Sequence, residues 1–547
     1  MKKALNVFAA ALVMVAAVAC SSAEKMAKMA ENVAVECNPQ VLEVVAGKIN
    51  ADVTATVPAG YFLPKAKVTI TPVIVYAGGE AVGPAYKYQG DKVKDNEKVV
   101  SSKGATVTEK VSFDYVPGME QCYLELRGVA TMKGKSVNLP TRKIADGANT
   151  TYMLVNKCGT VSYKADNYQE IIPMTSEGQI LYTINSSDVR GKELKSQSIK
   201  DFQAALDEIK ANERKTLTGT EVVAYASPDG GESLNSKLSD KRAGSAEKAW
   251  KKVVKGHEAS TPDVKSVGQD WEGFQELVSN SDIQDKELIL RVLSMYSDPA
   301  VRESEIKNMS NVYTELKGEV LPELRRARFI ANVQYQNYTM DELMTLVDQN
   351  IDVLDEEALL RVATLVKDPE KKLSIYNKAV TKFGSDRAQF NTGVTYLNMG
   401  QDAKAEAAFN KVATKDGDLA NAQGVIALRK GDLAAAARAF ASAGTEDAIA
   451  NMGVVDILNG NYAKAAQELA NTKGCCHNKT LAYILAGQLD KAAAAAKCQD
   501  APVNYLRAVI AARKGNASDV KKYLELAGKD AALAARAAKD IEFAAFK

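Results

Sequence analysis

Side chains that commonly carry catalysis are few and scattered in this sequence. Its two histidines, His257 and His477, lie far apart, and neither has a nucleophile motif beside it. Paired carboxylates occur, but most stand beside lysines in helix-like stretches and read as solvated faces. The segment GVATMKGKS, from Gly128 to Ser136, has the look of a phosphate-binding loop. Five residues rather than four separate its glycines, and VNLP follows where a helix is required, so it is read as a hairpin. Cys475, Cys476 and His477, with Cys498 downstream, offer sulfur and nitrogen ligands. Adjacent cysteines lack the C-x-x-C spacing of a zinc site, so a disulfide or buried thiols are expected there rather than a metal. The chain is therefore read as non-enzymatic, with no cofactor and no metal.

Binding chemistry is better represented. Residues 221–243, EVVAYASPDGGESLNSKLSDKRA, pass from a strand-like run through a polar turn into a helix carrying Asn235, Leu238 and Arg242. This layout resembles the peptidoglycan-binding module of the OmpA C-terminal domain family: a strand ending in Gly-hydrophobic-Thr-Asp, a Gly-containing turn, then Asn-x-x-Leu-Ser-x-x-Arg-Ala. Asn235, Leu238, Ser239, Arg242 and Ala243 fall in register, and Ser227 stands where the family has its Asp. The resemblance implies a site in which Asp and Arg grip the zwitterionic centre of diaminopimelate in the peptidoglycan stem peptide. Arg242 then takes the carboxylate, for which its planar donor fork is suited, and Asn235 braces the loop. Ser227 brings no charge to the ammonium, a loss of about 1.5–3 kcal/mol for one ion-paired hydrogen bond. Asp229 is the candidate substitute, or else simply the first residue of an Asp-Gly-Gly turn. Arg325 and Arg326 join the pocket in this reading, or sit at a solvated helix end.

The elements around these residues alternate. Strand-like Gln179–Ile184 precedes a helix-like stretch, Lys195–Asn212, whose Ile199, Phe202, Leu206 and Ile209 form one apolar stripe. A strand at Glu221–Ala226, a helix from about Leu234 to Val254 and a third strand at Val264–Gly268 follow. Helical sequence from Trp271 to about Leu321 then intervenes before a last strand, Phe329–Tyr335. Crossovers of this kind build an α/β layer with its loops at one end of the sheet. The resemblance thus spans 178–336, with an enlarged final crossover.

On the N-terminal side, residues 36–165 hold short β-branched and aromatic segments of period two between Gly, Pro, Asn and Asp, the pattern of an antiparallel β-sandwich. An irregular linker is expected over 166–178. On the C-terminal side, residues 340–547 lose strand signals and repeat. Gly400, Gly431, Gly460, Gly487 and Gly515 recur at intervals of 27 to 31 residues, with Gly393, Gly424 and Gly453 seven residues before the first three. Ala405, Ala436, Ala465 and Ala492 follow the turns, and Phe409, Phe440 and Leu469 come four residues after the first three of these. The pattern resembles the tetratricopeptide repeat, an α-helical solenoid, and the resemblance implies a protein partner on the repeats. No residue of the repeats stands out as a site. The fold class expected is multidomain α+β.

The start of the chain reads as an export signal over 1–19, ending in Ala17-Val18-Ala19-Cys20. A small residue before Cys resembles the lipobox of bacterial lipoproteins, which implies acylation of Cys20, anchorage in outer-membrane lipid, and a tether over 20–35. Ser21, Ser22 and Glu24 do not make an acidic run, which favours a periplasmic face. Lysine and arginine number 70 against 68 acidic residues, a net charge of +2 without a basic tract, so nucleic acid is not an expected partner. The whole arrangement looks like lipoproteins of anaerobic Gram-negative bacteria that join a β-domain, an OmpA-like domain and helical repeats, and the function expected is to tether the outer membrane or an envelope complex to peptidoglycan. The alternative is a scaffold for surface fimbriae or secretion whose OmpA-like domain no longer binds wall.

Overall fold

The structure is a computed structural model describing residues 22–257, 259–283, 285–473 and 476–547. The expected signal peptide and the acylation site at Cys20 fall outside the described residues. Two compact units are present: residues through Lys164 together with Val380–Lys547, and Ala165–Ala379. The division falls within the helix Pro369–Phe383, so the helices following residue 340 group with the central domain rather than with the later repeats.

In the first unit, eleven strands lie between Ala34 and Asn149. Lys48–Val57 pairs along its length with Ala105–Asp114, and Lys67–Tyr76 pairs likewise with Cys122–Met132. Alternation along Ala105–Asp114 turns Val107, Val111 and Phe113 inward. The 128–136 segment is a hairpin, with Lys133 and Gly134 both at positive φ in its turn. An all-antiparallel arrangement is not observed. Val41–Val45 runs parallel to Arg142–Asn149, and Tyr86–Gly90 parallel to Lys98–Val100. The first of these pairs is possible because almost a whole domain separates its strands in sequence, which leaves ample chain for the return.

From Asp386 onward the helices pair as hairpins: Asp386–Asn398 with Asp402–Phe409, Gly417–Lys430 with Leu433–Ala443, Glu446–Leu458 with Tyr462–Leu469, Cys476–Leu485 with Leu489–Ala495, and Ala501–Arg513 with Ala517–Ala527. The glycine spacing has a steric cause. A Cβ on Gly393, Gly424 or Gly453 would strike Phe409, Phe440 or Leu469 in the second helix of the same hairpin. Cys476 and Cys498 form a disulfide that joins the fourth hairpin to the segment following it.

In the second unit, Ile171–Leu181 and Lys215–Ala226 flank Arg326–Gln336 antiparallel, and Asp263–Gln269 lies parallel to Lys215–Ala226 at the other edge. The helices Gln197–Ala211 and Glu232–Val253 cover the sheet. Ile199, Phe202, Leu206 and Ile209 are all buried, and Trp250 packs against Phe329 with ring centroids 5.7 Å apart. The linker expected over 166–178 is largely strand, since Ile171–Leu181 pairs residue for residue with Arg326–Gln336. Its first half shows no burial alternation, and Pro173 is tolerated because this is an edge strand. The insertion consists of the helices Trp271–Ser279, Lys286–Met295, Pro299–Asn308 and Ser310–Glu319, around a core that includes Phe274, Val278, Ile289, Leu316 and Leu324.

Candidate functional site

The loop after Lys215–Ala226 brings Ser227, Asp229, Asn235 and Arg325 together. Asn235 donates from Nδ2 to Ser227 O at 3.0 Å and to Gly230 O at 2.6 Å, which holds the turn against the start of its helix. Ser227 Oγ donates to one oxygen of Asp229, and Arg325 Nη2 donates to the other at 3.1 Å. Both partners of this ion pair are about one-eighth exposed. The Nε of Arg325 is buried with no hydrogen-bond partner.

Arg242 is spent differently. It is 1% exposed, lies 5.0 Å from the centre of the Tyr182 ring, and donates to three backbone carbonyls: Ser186 O at 3.0 Å, Tyr225 O at 2.9 Å and Thr183 O at 3.2 Å. Burial pushes its guanidinium down to about 10, which still leaves it charged at neutral pH. Arg326 turns to the insertion. It pairs with buried Asp270 at 2.9 Å, and Asp270 in turn caps the helix Trp271–Ser279 through the Gly273 N–H. Burial raises the Asp270 carboxyl against the pull of Arg326.

A second site lies on the repeats, where the sequence singled out no residue. Asn391, Asn421, Asn451 and Asn478 occupy the first helices of four successive hairpins, and residues 154–164 of the same unit run across them. Asn478 accepts from Asn156 N at 2.8 Å and donates to Asn156 O at 2.9 Å. Asn451 makes the same two bonds to Thr160, both at 2.8 Å, and also donates to Asn421, which itself donates to Thr160 O. Asn391 clasps Lys164 in the same way at 2.7 and 3.0 Å. Arg429 Nε donates to Cys158 O, and Lys164 Nζ reaches Asp416 at 2.5 Å and Asp418 at 3.1 Å. Gly159, at φ +71°, lies so close to Val425 that a Cβ would sit 2.7 Å from its methyl carbons. Each clasp reads backbone through an amide that both donates and accepts, a role for which Asn is suited. The recurrence of one Asn per hairpin is the signal that was present in the sequence.

His477 anchors the start of this strap, with Nε2 donating to Leu154 O at 2.6 Å while Nδ1 is buried without a partner. Burial holds its pKa below the ordinary 6.5. The unfolded chain therefore takes up the proton at higher pH than the folded one, and stability present above pH 6.5 is lost as pH falls below it. Thermal midpoints are expected to drop as the pH falls below 6.5, and His477→Gln, which keeps a donor for Leu154 O, to flatten that slope. An unchanged slope in the variant would place the titration elsewhere.

Among the described residues no cluster of three or more His, Cys, Asp or Glu is arranged for a metal, and no helix is long and apolar enough to cross a membrane. No model of a known family matches the sequence, and no curated protein does. The C-terminal helical region resembles solved tetratricopeptide repeat proteins. One from Parabacteroides merdae is similar over 35% of this chain and 84% of its own, at 13% identity and a TM-score of 0.28. PilF of Pseudomonas aeruginosa is similar over 38% of this chain and 99% of its own, at 14% identity and 0.29. YrrB, a tetratricopeptide repeat protein with an unusual peptide-binding site, is similar over 37% and 100%, at 19% identity and 0.21.

Proposed function

We propose that this chain is a non-enzymatic binding protein of the bacterial envelope, anchored through acylated Cys20, whose OmpA-like central domain grips a zwitterionic group of the peptidoglycan stem peptide. The observation that carries this reading is the largely buried ion pair of Asp229 and Arg325 at the strand-to-helix loop. Asp229 supplies the negative charge that Ser227 lacks and takes the ammonium. Arg325, with its unpartnered Nε, takes the carboxylate. Arg242 holds the loop's foundations through carbonyls and is not the residue on which to test binding. The experiment is sedimentation with purified peptidoglycan. Asp229→Asn and Arg325→Gln are each expected to weaken binding about ten- to a hundredfold, the worth of one charge-assisted hydrogen bond. Undiminished sedimentation of both variants would defeat the site.

The second reading is a scaffold whose central domain no longer binds wall, and two observations favour it. Asp229 is already neutralised by Arg325 and also accepts from Ser227 Oγ. The face of the repeats formed by the asparagines is covered by residues 154–164, so a protein partner has to engage other surfaces of the hairpins. Wild-type protein that fails to sediment at all selects this reading.

A further inference from the structure

The β-rich part of the first unit contains a cavity of about 140 Å³ whose walls include residues of the paired strands Lys48–Val57 and Ala105–Asp114 and of Lys67–Tyr76 and Cys122–Met132, among them Val53, Ala55, Val68, Val107 and Leu126, together with Phe62. A cavity of roughly this size lined by aliphatic and aromatic side chains stays dry and admits a six-carbon hydrocarbon such as benzene. Polar groups on its lining are few, and nearly all are committed. Tyr86 OH donates to Lys110 O at 2.7 Å, Tyr88 OH donates to Glu109 at 3.1 Å, and Lys98 neutralises Glu109 at 2.8 Å. Of the two charged lining residues, Glu109 and Arg142, only Arg142 lacks an opposite charge beside it. It is exposed, donates from Nη1 to Val33 O at 2.5 Å, and meets no carboxylate among the described residues. A dry apolar slot with one uncompensated guanidinium in its lining has the polarity of an amphiphile with a single anionic head.

We propose that this cavity binds a straight-chain aliphatic carboxylate, with its tail among Val53, Phe62, Val68 and Leu126 and its head on the guanidinium of Arg142. The other polar lining groups fix the sign of the head. An ammonium would meet Arg142 with like charge, whereas Glu109 is already occupied by Lys98 and does not repel a carboxylate at full strength. Tail length follows from the volume. About six carbons fill the slot, and each further methylene gains affinity only while wall remains to cover it, by about fourfold per buried methylene.

Isothermal titration of the full chain with hexanoate, octanoate and 1-octanol tests the proposal. Saturable binding of one octanoate per chain is expected, tighter than hexanoate by up to about fifteenfold, the worth of two buried methylenes. Arg142→Gln, at an exposed position, should weaken octanoate about tenfold and leave 1-octanol unchanged. Ala55→Phe, and independently Val68→Phe on the strand Lys67–Tyr76, should abolish binding of both, with circular dichroism confirming that the strands remain. Absence of saturable octanoate binding overturns the proposal, as does binding that survives a folded cavity-filling variant. Equal loss of acid and alcohol in Arg142→Gln removes the guanidinium from the site and overturns the assignment of ligand class.

Discussion

Arg242→Met is expected to cost the second unit about 3–5 kcal/mol, more than any other single substitution considered for this chain. Three backbone carbonyls, those of Thr183, Ser186 and Tyr225, lose their donor at once, and the side chain that linked three separate segments is gone. An orphaned buried acceptor costs roughly 1–3 kcal/mol. Part of that sum is returned, because burial already opposes the charge on Arg242 and methionine carries none. Arg242→Lys should lie between wild type and Met, since an ammonium keeps the charge but concentrates its donors at one point and cannot span three carbonyls. The measurement is convenient. The chain has two tryptophans, Trp250 and Trp271, both in the second unit, so urea denaturation followed by their fluorescence reports this unit directly. A wild-type midpoint in the Met variant, together with lost sedimentation on peptidoglycan, would return Arg242 to the role of ligand that the sequence motif suggested.

That contrast shows what the sequence could and could not convey. Asn235 and Arg242 stand in register with a binding motif, and spacing alone cannot distinguish a guanidinium aimed at a ligand from one aimed at three carbonyls of its own domain. The loop residues Ser227 and Asp229 are local to that motif, and Asp229 was accordingly visible as a candidate. Arg325 reaches Asp229 across 96 residues of sequence, a contact that no local pattern encodes. Repeat geometry was more accessible. Each Gly–Phe or Gly–Leu contact lies within one hairpin, so the sequence interval maps directly onto the packing. Strand Ile171–Leu181 was obscured for the opposite reason, since an edge strand with an exposed first half has no buried face to impose alternation. The asparagines on the repeats recur visibly, yet their partners are backbone atoms more than two hundred residues earlier. A backbone has no side-chain signature to search for.

The clasp on residues 154–164 supplies the other large effect. Gly159→Ala is expected to cost about 2–4 kcal/mol, because alanine strains at φ +71° and its Cβ would overlap the methyl groups of Val425, which is fully buried and cannot withdraw. Asn451→Ala should cost about 2 kcal/mol, since Thr160 is exposed enough for water to replace two of the three lost bonds, leaving chiefly the buried Asn421 amide without its donor. Asn451→Asp separates the halves of the clasp. A carboxylate still accepts from Thr160 N–H but presents a lone pair to Thr160 O and to Asn421 Oδ1, so it should be no better than alanine despite its near-identical shape. Hydrogen exchange read on peptides covering 154–164 measures all three, and protection there should fall in each variant. Protection that stays at the wild-type level in Gly159→Ala and Asn451→Asp would mean that the other fastenings suffice to hold the strap, among them Asn478 at Asn156, Arg429 at Cys158 and Asn391 at Lys164. If protection falls instead, the asparagines are a fastening within the first unit, and their amides are spent on holding the β-rich part to the repeats.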